Sequence, residues 1–122
     1  MMPTRTIEIE KILSVMDDMD RLVKVVDSYY EHRENLDPVD SGFLIIRENF
    51  EKALNSEGIF RIRCLPGDAF DVSVHEAVKT HPLDDFERFE ANFEPDQVYE
   101  VVRSGWKSGN EVLRPCQVVV AT

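Results

Sequence analysis

The sequence predicts an α+β fold in which N-terminal helices form a dimeric four-helix bundle and a small antiparallel β domain follows. Three observations carry that expectation. Apolar residues recur at helical spacing over the first third of the chain, a second and well-punctuated helix follows, and beyond Gly58 the apolar pattern changes to alternation. The chain is accordingly divided into a helical dimerisation segment, 1–58, and a β-sheet domain, 59–122.

In the first helix, Ile9, Ile12, Met16, Met19, Val23, Val26 and Tyr30 alternate spacings of three and four, which is the a/d seam of a heptad. Leu13, Leu22, Val25 and Tyr29 form a second row that widens the apolar face beyond what a two-stranded coiled coil buries. The second helix starts at Asp37 as N-cap, with Pro38 at its first position and Asp40 in the first turn, near the positive end of the helix dipole. Phe43, Ile46, Phe50 and Leu54 supply its inward stripe, and Gly58 followed by Ile59 reads as a left-handed cap that ends it near Glu57. Two unequal helices offer more apolar face than they can cover, so two chains are expected to associate as a homodimer. Phe43, Ile46 and Phe50 then join the seam residues in the dimer interface. Gly42 lies in the first turns of the second helix, where glycine costs roughly 0.5–1 kcal/mol relative to alanine. It is either a tolerated surface glycine or a place where another backbone approaches closely.

Ile59 to Arg63 alternate as a strand does, and Val98 to Trp106 and Glu111 to Ala121 are two further β-rich runs. Ser108-Gly109-Asn110 between them suits a hairpin turn, so these runs are expected to pair antiparallel. Pro115 cannot donate a ladder hydrogen bond, which places an edge or a bulge there. Val74 to Thr80 forms a fourth strand, and the acidic, irregular stretch from Pro82 to Pro95 reads as an exposed loop.

The composition is that of an ordinary soluble domain, with 43% hydrophobic and 31% charged residues. A formal net charge of -10 repels phosphate backbones and anionic headgroups, which argues against nucleic acid and membrane surfaces as partners. No apolar run approaches the roughly 20 residues of a spanning helix, and residues 1–10 hold no signal-peptide core. Two cysteines, Cys64 and Cys116, are too few and too far apart in sequence for a disulfide framework or a CxxC metal site. A reducing, cytoplasmic setting is the simplest reading.

Little in the chain reads as bond-making chemistry. His75-Glu76 begins a zinc-protease motif, but position 79, where the second histidine belongs, is Lys79. His75 and His81 lack a third ligand, Cys116 is surrounded by no nucleophile motif, and no glycine-rich phosphate loop follows a strand. No catalytic residue, metal or cofactor is therefore assigned, and the chain is read as a binding protein rather than an enzyme.

The block Gly67-Asp68-Ala69-Phe70-Asp71-Val72-Ser73-Val74-His75-Glu76-Ala77-Val78 resembles the signature segment of GrpE-type nucleotide exchange factors, although that family usually carries proline where this chain has Val72. Val101-Val102-Arg103-Ser104-Gly105-Trp106 through Val112-Leu113-Arg114-Pro115 to Val118-Val119-Val120 is similar to the family's closing hairpin. Leu13 to Arg21 resembles its first bundle helix, and Ser41-Gly42-Phe43 falls on its glycine in the second. The likeness runs from about Glu10 to Ala121 in matching order. Full-length relatives begin with an acidic arm and a longer paired helix that this chain largely lacks, which reads as a trimmed or naturally short form.

The resemblance implies a homodimeric co-chaperone that binds the nucleotide-binding domain of a DnaK-type chaperone, opens its cleft and promotes ADP release. By family position Gly42 lies against the chaperone, with Val102 and Val120 on the contact face of the β domain. Glu111 stands where some relatives carry a basic residue. His75 and Arg114 are read as fold-keeping residues, satisfied by local carbonyls or carboxylates. Two rivals remain: an adaptor or inhibitor of the same fold with a different protein partner, and a thiol or metal hydrolase built on Cys116 and His75.

Overall fold

A computed structural model of the chain describes residues 8–90 and 92–122. The first seven positions of the segment 1–58, and Ala91 in the expected loop, lie outside the described residues. The chain divides into a helical unit ending at Ser56 and a β unit running from Glu57 to Thr122.

The helical unit is a hairpin of α1 (Ile9–Tyr29) and α2 (Pro38–Ser56), joined by a single 3-10 turn at Arg33–Asn35. With 21 residues, α1 spans about 31 Å. Asp37 caps α2 as its sequence implies. One carboxylate oxygen accepts the Asp40 N–H at 2.9 Å and its carbonyl accepts the Ser41 N–H at 2.9 Å, leaving Pro38 at the position that needs no donor. The helix ends where Gly58 takes φ +82°, a left-handed conformation that a side chain would resist.

Polar ties pin the two helices together. Arg47 donates from Nε and Nη2 to one oxygen of Asp20 at 3.0 and 2.8 Å, on partly buried side chains. The Tyr30 hydroxyl donates to Asp40 at 2.6 Å, and that carboxylate holds the phenol protonated, pushing its pKa up to about 12. Leu13, Met16 and Val26 are buried on α1, as is Leu54 on α2.

The β unit holds two three-stranded sheets. β1 (Ile59–Arg61), β4 (Trp106–Ser108) and β5 (Glu111–Arg114) form an antiparallel sheet in the order β1-β4-β5, and the β4–β5 turn places Gly109 at φ +59°. The second sheet has the order β2-β6-β3, from β2 (His75–His81), β3 (Val98–Arg103) and β6 (Cys116–Ala121). β3 pairs antiparallel with β6 but β2 pairs parallel with it, so the domain is mixed rather than wholly antiparallel. The cause is topological. β2 reaches β6 through a long crossover, not a hairpin, and a crossover permits parallel pairing.

Each expected long run is in fact two strands. The first breaks at Ser104-Gly105 and the second at Pro115, and at both breaks the chain leaves one sheet for the other. Pro115, having no N–H to donate, sits at the changeover. A Cβ on Gly105 would lie 2.5 Å from the Cys116 nitrogen and 2.8 Å from the Pro115 carbonyl carbon, so the two bends are stacked in direct backbone contact. Ile62, Val98, Cys116, Val118 and Val120 form the core, with Cys64, Phe70, Val74 and Val101 packed against it.

The stretch from Pro82 to Pro95, expected as irregular loop, contains a short helix, α3 (Asp85–Glu90). Its start is fastened by Asp84, which accepts the Glu87 N–H at 2.7 Å and the Arg88 N–H through its carbonyl at 3.1 Å. A helix of six residues is too short to show a periodic apolar stripe, which is why the sequence reads as loop. It is open to solvent, with Phe89 87% and Phe86 72% exposed. Chymotrypsin is expected to cut first at these two phenylalanines while the two sheets stay intact, as read by mass spectrometry of early fragments. First cuts within residues 51–57 would instead mark the end of α2 as the weaker segment. Among the described residues no helix is long and apolar enough to cross a membrane.

Candidate partner-binding surface

The segment with the strongest sequence signature, Gly67 to Val78, is a compact turn that runs into the first half of β2. Asp68 accepts the Leu65 N–H at 2.9 Å, its carbonyl accepts the Val98 N–H at 2.8 Å, and the Gly67 N–H donates back to the Val98 carbonyl at 2.8 Å. Asp71 then folds the chain over itself. Its carboxylate accepts the Ser73 hydroxyl at 2.6 Å and N–H at 2.9 Å, contacts that hold its pKa below the usual carboxylate range. Its carbonyl accepts the N–H groups of Val74 and His75. The polar groups of this block are therefore largely occupied in holding the turn together and anchoring it to β3. Val72, at the position where the family resemblance expects proline, is 84% exposed.

His75 and Arg114, buried polar side chains among the described residues of the β unit, are both bonded within the fold. Arg114 Nε donates to the Ser104 carbonyl at 3.0 Å, tying the two sheet-changing bends together. The partner of His75 differs in kind from the expected carbonyl or carboxylate. Its Nδ1 accepts the Asp71 N–H at 3.0 Å. His75 and Cys116 are cross-strand neighbours on β2 and β6, but the Cys116 thiol is wholly buried and engaged with the Gly105 N–H and the Ile62 carbonyl. His81 pairs with Glu87 at 2.9 Å and stacks on Tyr99 at 4.1 Å. Among the described residues no group of three His, Cys, Asp or Glu side chains could hold a metal ion.

Of the four residues assigned to partner contact, three are accessible and one is not. Val102 on β3 is 48% exposed, Glu111 is exposed at the start of β5, and a Cβ on the half-buried Gly42 would meet no atom within 4 Å. Val120 is corrected: it is 7% exposed within the core on β6, because β6 is the central strand of its sheet and both its faces are covered. Val102 and Glu111 stand on different sheets. A surface row that the sequence did not single out lies across the other sheet. Phe60 on β1 is directly opposite Lys107 on β4, which is opposite Val112 on β5, and all three are exposed. Directly paired residues point to the same face, so two apolar side chains flank a lysine there. Only the strand register, which the sequence does not state, brings them together.

The ten residues assigned to a dimer interface separate as well. Met16 and Val26 are buried within the chain, Ile46 is 63% exposed, and Ile9, Ile12, Met19, Val23, Tyr30, Phe43 and Phe50 are partly buried. The more open apolar side chains of α1 are Val15, Leu22, Val25 and Tyr29, three of them seven residues apart. The seam and its flanking row thus share the work differently from the heptad reading, in which Leu13 belongs to the flank although it is fully buried.

The GrpE family model matches residues 7–122 of the chain. The chain belongs to the GrpE family. It is 36% identical over 113 residues to Protein GrpE of Fructilactobacillus sanfranciscensis, a match covering 92% of this chain and 56% of that protein. It is 33% identical over 120 residues to Protein GrpE of Chlorobium phaeobacteroides, covering 97% of this chain and 60% of the relative. With Protein GrpE of Halobacterium salinarum it shares 27% identity over 113 residues, 93% of this chain and 46% of the relative. The chain therefore spans about half the length of the curated relatives it matches. Both the helical hairpin and the mixed β unit fall within the matched region of the GrpE family.

Proposed function

We propose that this chain acts in the cytoplasm as a homodimeric co-chaperone that binds the nucleotide-binding domain of a DnaK-type chaperone, favours its open cleft and speeds ADP release. The observation that carries the reading is the family match across both units, from residue 7 to residue 122. Exchange of this kind needs no bond-making residue. It requires a surface that binds the open state more tightly than the closed one, since a partner with equal affinity for both shifts nothing. Gly42, Val102 and Glu111 are the proposed contacts, joined by the row of Phe60, Lys107 and Val112. The direct test is release of fluorescent ADP from a DnaK-type chaperone, expected to accelerate with added protein. Binding without acceleration would favour an adaptor or inhibitor of the same fold, a reading that the exposed acid at Glu111 also supports, since some relatives carry a base there.

Dimerisation is proposed to bury the open apolar stripe of α1 and the exposed Ile45 and Ile46 of α2 in a four-helix bundle. Light scattering is expected to report about twice 14.1 kDa. Leu22→Asp, which places a charge in that stripe without disturbing a buried residue, is expected to shift the protein to monomer. A wild-type monomer at micromolar concentration would overturn the bundle.

A further inference from the structure

Cys64 and Cys116 are both free thiols, distant in sequence, yet the β unit sets them against each other. Cys116, at the start of β6, is wholly buried, its Sγ 3.3 Å from the Gly105 nitrogen and 3.9 Å from the Ile62 carbonyl oxygen. Cys64 follows Ile62 by two residues and packs against the same core as Cys116. Both line one cavity of about 330 Å³, whose other walls include Arg61, Arg63, Val101 and Ser104. Two thiols on the wall of one cavity, with room beside them, form an arrangement that the proposed exchange activity does not require.

We propose that Cys64 and Cys116 form a reversible dithiol–disulfide pair, oxidised through this cavity by a small anionic disulfide of the glutathione class. The volume is at the lower end of small-molecule pockets, enough for one half of such a molecule; Arg63 suits its carboxylates, while Arg61 is held on the Ser104 hydroxyl and over the Trp106 ring. Cys64 is the more accessible thiol and attacks first. Having lost its proton, it forms a bond to one sulfur of the small disulfide and expels the other half as a thiolate. Cys116, losing its proton in turn, attacks Cys64 Sγ and expels the second half. The two protons given up by the protein end on the two released thiolates. The pair loses two electrons, and these reduce the small disulfide to two thiols. Desolvation, followed by the neighbouring Cys116, pushes the Cys64 thiol up to about 12, so little thiolate is present near neutrality and the switch is slow. It answers sustained oxidation rather than a brief pulse. The new bond fastens the link after β1 to β6 and shortens the free loop of the unfolded chain, which stabilises the oxidised β unit.

The test is incubation of the full chain with excess glutathione disulfide at about pH 8 and about pH 9, then acid quench, alkylation under denaturing conditions and intact mass. The expected product is a monomer-mass chain lacking two hydrogens and carrying no alkyl group. It should form roughly tenfold faster at the higher pH, because the thiolate fraction rises tenfold per unit below the pKa. Its thermal midpoint should be several degrees higher and return on reduction. In Cys116→Ser the glutathione adduct should stall on Cys64, and in Cys64→Ser the buried Cys116 should stay unmodified. Two alkylated cysteines in the treated wild type, a persistent adduct without ring closure, or disulfides only between chains would each overturn the proposal. The wild-type mass decides the matter even if a variant misfolds, and none of these readouts depends on exchange activity.

Discussion

Gly105→Ala is expected to destabilise the β unit by about 3 kcal/mol or more, at or beyond the usual limit for an added methyl in a close-packed interior. The reason is backbone, not side chain. The added Cβ would stand 2.5 Å from the Cys116 nitrogen, 2.8 Å from the Pro115 carbonyl carbon and 2.9 Å from the Arg114 oxygen, and none of these can rotate away. The chain cannot shift cheaply, because the Gly105 carbonyl accepts the Ile62 N–H at 2.9 Å and the Cys116 N–H donates to the Val74 carbonyl at 2.9 Å. Moving either bend therefore loosens β1 from one side or β2 from the other. For a unit of this size each 1 kcal/mol lowers the midpoint by about 4–8 °C, so a fall of roughly 15 °C is expected. Trp106, the sole tryptophan and wholly buried beside the bend, reports the β unit by fluorescence. A midpoint within a degree or two of wild type would show that the stacked bends are more yielding than their contacts imply.

Gly42→Asp is expected to leave the protein folded and to abolish most of the proposed nucleotide exchange. Apart from its chain neighbours and its own helix backbone, no heavy atom lies within 4 Å of where a Cβ would stand, so a side chain there meets no obstacle within the chain. Gly42→Ala should even stabilise α2 by about 0.5–1 kcal/mol, since alanine suits helical dihedrals and restricts the unfolded chain. If the chaperone's backbone approaches here, aspartate both obstructs it and places a charge in a desolvated contact. That should weaken binding by at least about 100-fold, equivalent to roughly 3 kcal/mol. Thermal unfolding and chaperone ADP release, measured side by side on wild type and both variants, separate the possibilities. Normal exchange by a folded Gly42→Asp dimer would remove this position from the contact surface, whereas loss of the dimer would assign Gly42 to packing between protomers.

The two long helices were legible because their signals are local. An N-cap at Asp37, a proline at the first position and a left-handed glycine at 58 act on the nearest turn of backbone, and the observed ends of α2 follow them to within a residue. The strands were legible as apolar runs but not as separate pieces. Nothing in Val98 to Trp106 announces that the chain changes sheets at Gly105, because the need for glycine comes from Pro115 and Cys116 arriving from the other run. α3 was missed for the opposite reason, six residues being too few for a period to emerge. Val120 carries the same lesson for the site: its residue type fits an exposed contact or a core equally well, and only its place on the central strand of β2-β6-β3 settles it as core.

What the sequence determined alone was two long helices followed by a β-rich half, the capping of α2, the β4–β5 turn and, through the block from Gly67 to Val78, membership of the GrpE family. Tertiary structure decided everything that depends on partners far along the chain. It set the parallel pairing of β2 with β6, the stacking of Gly105 on Pro115 and Cys116, the row of Phe60, Lys107 and Val112, and the meeting of Cys64 with Cys116. Propensity and capping act between residues a few positions apart, whereas register and sheet-crossing are fixed by which distant backbone groups satisfy one another once the core closes.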